Sequence, residues 1–148
     1  MTVPDNLLQI YTHDGDGYRP LVDFNAWRVA ILNYSDELRP EGIVTLQRHN
    51  ETDEVFVLLR GRCLLFVGDG DDDHIVKVHA QVMKPETIYN VRRAVWHNHT
   101  LSRDAKVLVV ENRDTTYDNS PFCQLTAQQR STLRQTAARY GFSLNAST

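Results

Sequence analysis

Arg48, Glu54, Arg93 and His97 are the residues of this chain whose types could do chemistry together: two guanidiniums, a carboxylate and an imidazole. Such a set suits a small carboxylate-bearing ligand, because a guanidinium holds a carboxylate through paired, charge-assisted hydrogen bonds. The imidazole, with an ordinary pKa of about 6.5, gives or takes a proton near neutral pH. Side chains alternate along a strand, so residues two apart share a face. If His97 faces an interior, Arg93, Val95 and His99 face it too. Arg48 and Asn50 share a face, which leaves His49 on the other unless a bulge intervenes. Glu54, Phe56 and Leu58 form the matching row of the next strand. The expected mouth therefore holds Arg48, Asn50, Glu54, Arg93 and His97, with Phe56 and Val95 as apolar wall and His99 at the rim. The plainer alternative for Arg48 and Glu54 is a buried ion pair.

The elements that must position these groups read as short strands. Residues 27–34 (WRVAILNY), 43–46, 54–59 (EVFVLL), 63–67 (CLLFV), 74–79 (HIVKVH), 87–91, 94–97 and 106–111 (KVLVVE) are rich in β-branched and aromatic residues and separated by turn chemistry. Gly61 between two of them predicts a tight hairpin that needs a positive φ. Six to nine strands at this spacing predict an all-β antiparallel sandwich or barrel. Thr126 to Gln129 fits a capping box, and Leu133, Ala137 and Tyr140 fall on one face of the helix it would open, with Gly141 beyond its end. The whole reads as one domain over 1–148: N-terminal strands and loop over 1–40, the chemistry-bearing barrel over 41–112, and a short helix over 125–141. The stretch His13 to Gly17 (HDGDG) reads as an exposed loop.

The chain has 148 residues, 16 Lys and Arg against 19 Asp and Glu, and a formal charge of −3. That balance lacks the basic face a nucleic-acid binder needs. No apolar run is long enough to span a membrane, so no membrane partner is expected. Cys63 and Cys123 are two distant thiols, which argues for a reducing, cytoplasmic setting. Asp69, Asp71 and Asp73 begin like a calcium loop, but His74 stands where that loop needs Gly and Ala80 where it needs Glu.

From 42 to 61 the chain reads G-IVTLQ-R-H-N-ETD-E-VFVLLR-G, and 91–97 reads VRRAVWH. The first segment resembles the first cupin motif, G-x5-H-x-H-x3-E-x6-G, with Arg48 and Asn50 in the places of its histidines. The second resembles P-x-G-x-x-H, with Arg92 and Ala94 in place of its proline and glycine. This resemblance implies a double-stranded β-helix barrel with a short C-terminal helix. The R-H at Arg48-His49 and the R-x-V-W-H at Arg93 to His97 are similar to the ureidoglycolate lyase branch of the cupins. Glu54 departs from that branch, which tends to have Gln, as do Arg92, Ala94 and Asn98.

The branch implies cleavage of ureidoglycolate to glyoxylate and urea, a step of purine catabolism, by a homodimer. A homodimer is also expected because exposed sheet edges need covering. In such a lyase His97 and Glu54 would serve as acid and base, Glu54 if burial raises its pKa. Arg48 and Arg93 would hold the substrate carboxylate, with Asn50, Phe56 and His99 completing the pocket. No cofactor is required for that chemistry. One divalent metal held by His49, Glu54 and His97 is the alternative, and it would make the chain a metal cupin isomerase or oxygenase. A noncatalytic cupin that binds a small acid or sugar is the third reading.

Overall fold

The computed structural model describes residues 2–142, so the ends of the domain expected over 1–148 lie outside the described residues. Ten strands and one α-helix follow in order among the described residues: β1 (Tyr18–Phe24), β2 (Trp27–Asn33), β3 (Thr45–Gln47), β4 (Glu54–Arg60), β5 (Cys63–Gly70), β6 (Ile75–Val82), β7 (Ile88–Val91), β8 (Trp96–Leu101), β9 (Lys106–Asn112), β10 (Phe122–Gln124) and α1 (Ala127–Arg139). They form two five-stranded sheets, ordered β1-β2-β9-β4-β7 and β10-β3-β8-β5-β6. The strand pairings within them are antiparallel.

Alternation explains the first sheet. Along β9, Val107, Val109 and Glu111 are buried while their neighbours are half-buried, the pattern of a strand with one face on a core. Phe56 and Leu58 of β4 and Ala30 and Leu32 of β2 join Val107 and Val109 inside, where they meet Leu65 and Leu101 of the second sheet.

The second sheet is covered on both faces. Cys63 and Leu65 of β5 point into the space between the sheets, while Leu64 and Phe66 join a second core outside it. That outer core contains Leu46, Trp96, Leu125, Leu133, Ala137 and Phe142, so α1 acts as its lid. Thr126 caps α1: its Oγ1 accepts from Gln129 N at 3.1 Å, and Gln129 Oε1 accepts from Thr126 N at 2.9 Å. The helix ends through Gly141 at φ +79°, where Phe142 N donates to Ala137 O and folds the Phe142 ring back under it. Tyr140 is exposed rather than part of the buried stripe, which consists of Leu133 and Ala137.

Gly61 takes the expected positive φ (+71°) in the β4–β5 hairpin, with Ala105 Cα 2.5 Å from where a side chain would begin. Two strands lie outside the expected set. β1 lies at the edge of its sheet, where its Pro20 is tolerated, and is interrupted by a bulge, and β10 is only three residues long. His13, expected on the surface, is buried, with its Nε2 3.1 Å from Gly17 O. No helix among the described residues is long and apolar enough to cross a membrane.

Candidate functional site

β3 pairs with β8 through Gln47 opposite His97, so these two residues share the inner face. The chain keeps that alternation past the end of β3, and His49 comes inward without a bulge. Its loop is fastened by Arg48 N to Pro121 O (3.1 Å), Asn50 N to Asn119 O (3.0 Å) and Ala94 N to His49 O (2.8 Å). Ala94 adopts φ +61°, the left-handed conformation usually left to glycine, and so makes the turn that presents β8.

Both imidazoles converge on one oxygen. Glu54 Oε2 lies 2.9 Å from His49 Nε2 and 2.7 Å from His97 Nε2, and all three residues are buried. Burial opposes ionisation of Glu54, but the hydrogen bonds and charges of the two histidines outweigh it and hold its pKa at about 2. Glu54 is therefore an ionised anchor, not the raised-pKa acid expected of a buried carboxyl. His97 Nδ1 lies 2.9 Å from Val95 O, a pure acceptor, so Nδ1 carries a proton. Its Nε2 faces the Glu54 carboxylate and carries one too. Burial disfavours that imidazolium, yet Glu54 and the Val95 carbonyl raise its pKa above the ordinary value. His49 Nδ1 meets Ser120 Oγ at 2.7 Å, which fixes its ring.

These groups line an open cavity of about 1020 Å³ between the sheets. Phe56 and His99 line it as well, their rings 5.8 Å apart. Burial, aided by the charge of His97 and opposed by Glu54, pushes His99 down to about 4, and its buried Nδ1 has no hydrogen-bond partner. A second carboxyl, Glu111, also lines the cavity and accepts a hydrogen bond from the Tyr18 hydroxyl. Burial and the negative charge of Glu54 raise its pKa, despite the Tyr18 bond. Glu111 was legible as the inward end of the Val107–Val109 row, but a strand end carries no motif.

Arg48, Asn50 and Arg93 do not line the cavity. Arg48 lies over the Trp96 ring on the outer face, 4.7 Å from its centroid, and pairs with Asp72 at 2.7 Å. It is thus not the buried partner of Glu54 either. Asn50 is exposed. Arg93 sits in the turn before β8, exposed, where its backbone N donates to Asp53 Oδ1. The parity carried back from His97 fails there because β8 begins at Trp96. The guanidinium that lines the cavity among the described residues is Arg28, held by both oxygens of Asp23 at 2.8 and 3.1 Å.

The donor set of His49, Glu54 and His97 also fits a divalent metal: two imidazole nitrogens and a carboxylate oxygen lie within 4.8 Å of one another. Ser120 and Val95 O hold the far ring nitrogens, the support that metal-ligating histidines require.

No protein-family model matches the sequence, and no curated protein matches it. Solved structures do match in shape. A Streptomyces PAC13 variant with uridine aligns at a TM-score of 0.54 and 7% identity, covering 84% of this chain and 98% of that one. Pac13, described as a unique nucleoside dehydratase, aligns at 0.53 and 6% identity, covering 81% and 96%. A cupin-2 domain protein from Shewanella frigidimarina aligns at 0.49 and 15% identity, covering 69% and 85%. At these identities the likeness speaks of architecture, and with two curled antiparallel sheets and the helix laid over one of them, the chain has the cupin fold, a double-stranded β-helix barrel.

Proposed function

We propose that the protein is an acid–base lyase that breaks a C–N or C–O bond at a hydroxyl-bearing carbon of a small molecule. One observation carries the reading: a doubly hydrogen-bonded carboxylate holds the His97 imidazolium beside a second carboxyl whose pKa is raised, within one cavity. Glu111 is the stronger base of the two carboxylates and takes the hydroxyl proton, with Tyr18 clamping its other oxygen. As the carbonyl forms, the bond to the leaving group breaks. The electron pair stays on the departing nitrogen or oxygen, which takes the His97 Nε2 proton out of its hydrogen bond to Glu54. Glu54 touches both imidazoles and keeps His97 charged and oriented. Pac13, described as a nucleoside dehydratase, is a cupin-fold enzyme of related bond-breaking type.

Ureidoglycolate cleavage is the finer form of this reading. Its carboxylate would have to be met by Arg28, because Arg48 and Arg93 lie off the cavity. The donor set supports a second reading, in which His49, Glu54 and His97 hold a divalent metal that acts as a Lewis acid on a substrate oxygen. The test is aldehyde release by metal-stripped protein from ureidoglycolate and from N-(hydroxymethyl)urea, which has the same carbinolamide without the carboxylate. Release from at least one, falling by about 100-fold or more in His97→Gln, is expected of a lost general acid. Release that returns only with stoichiometric divalent metal selects the second reading, and no release under either condition sinks both.

A further inference from the structure

We infer that the cavity takes an uncharged or cationic molecule that joins a planar ring to a polar, hydroxyl-bearing part, with the ring resting on Phe122 and Tyr117 at the mouth. The inference rests on the lyase reading only in placing the polar part at His97. The register of the second sheet sets out the row: Val67 pairs with His97, His97 with Gln47, and Gln47 with Phe122. Paired residues share a face, so Phe122 closes the inner row that begins at the reactive histidine. Adjacent strands lie about 4.8 Å apart, which puts Phe122 roughly 10 Å from His97. That span suits a ring plus a sugar-sized portion rather than a small hydroxy acid.

Phe122 is 53% exposed and Tyr117 81%, their rings 5.9 Å apart and inclined at 33°, and both line the cavity. Large exposed aromatic faces offer stacking area to a flat ligand at little cost in side-chain freedom. Between them and His97 lies Gln47, whose Nε2 donates to Ser120 O at 3.0 Å. Its amide oxygen is then the acceptor available to a ligand O–H or N–H.

Charge selects against anions. Five carboxyls, Asp16, Asp36, Glu37, Glu54 and Glu111, line the cavity against two cations, Arg28, already tied to Asp23, and His97, already held by Glu54. A cleft lined mostly by one sign of charge focuses its field and repels ligands of that sign.

The test titrates the full chain with adenosine, adenosine 5′-monophosphate and D-ribose, following binding by calorimetry. Adenosine should bind about tenfold or more tightly than either of the others, and Phe122→Ala should weaken adenosine by about tenfold without moving ribose. Tyr117→Ala should act in the same direction, and its exposed position leaves the melting temperature unchanged. Monophosphate binding as tight as adenosine overturns the charge argument. Adenosine binding no tighter than ribose, or untouched by Phe122→Ala, overturns the ring subsite. Adenosine binding as expected with no aldehyde release sinks the lyase reading alone. Aldehyde release together with adenosine binding no tighter than ribose sinks this inference alone.

Discussion

The two faces of β3 and β8 carry opposite kinds of residue one position apart. Gln47, His49 and His97 face the cavity, whereas Leu46 and Trp96 face outward into the core covered by α1 and Arg48 lies over the Trp96 ring. A slip of one residue would exchange the two sets. The comparison teaches that an interior lined by polar groups can lie behind a strand whose outer face is the better hydrophobic core. Inner-face substitutions should therefore cost chemistry, and outer-face substitutions should cost the fold.

Trp96→Ala is the largest expected break. Trp96 is 2% exposed, packs in the outer core and donates its Nε1–H to Asp71 O at 2.9 Å, so it also pins the β5–β6 hairpin. Truncating a buried tryptophan costs about 3–5 kcal/mol. Urea unfolding should show that loss. A change below about 1 kcal/mol would mean that the outer face is not a core and that the contrast between faces is wrong.

The sequence disclosed the strands better than it disclosed their faces. The runs at β2, β4, β5 and β9 are rich in residues that fit a pleated sheet, and Glu54, Phe56 and Leu58 do form an inward row. Parity failed at β3 because α1 covers the outer face: with apolar residues wanted on both sides, Leu46 does not say which side is in. The motif resemblance then put Arg48 and Asn50 where His49 belongs. Parity failed again at Arg93 because Ala94, in a left-handed turn, separates it from β8. The contact between Glu111 and Tyr18 is not legible in the sequence because it depends on the distant pairing of β1, β2 and β9.

Glu111→Gln sharpens the contrast on the inner face, with a smaller effect on stability and the opposite sign. The folded state raises the Glu111 pKa, so it favours the protonated carboxyl. Stability from this group is present below its ordinary value of 4.5 and is lost as pH rises through the folded value. Glutamine keeps an oxygen for the Tyr18 hydroxyl and cannot ionise. The variant should therefore melt higher than the parent at neutral pH, with the gain vanishing below about pH 4, while aldehyde release falls by about 100-fold. A gain that persists in acid would show that ionisation is not its source. Unchanged turnover would remove Glu111 from the base role.

Arg48→Met is the smallest expected effect and the most direct probe of the slip between faces. In the motif alignment Arg48 stands where a ligand histidine would be, so a reading by motif predicts loss of function. In the structure its guanidinium lies over Trp96 and pairs with an Asp72 side chain that is 86% exposed. An ion pair with one partner in solvent contributes about 0–1 kcal/mol, and a cation over the face of a buried indole adds about 0.5–2 kcal/mol. Methionine keeps the apolar stem that covers the ring and gives up only the charge. It also removes Arg48 Nε, a buried donor with no hydrogen-bond partner, which offsets part of the loss. Stability should fall by about 1 kcal/mol or less, and more weakly still at high salt, where the Asp72 pair is screened. Turnover should stay within about threefold of the parent, because that substitution touches nothing in the cavity. A hundredfold loss of turnover with an unchanged melt would instead place Arg48 on the substrate, and the inner and outer faces of β3 would have to be exchanged.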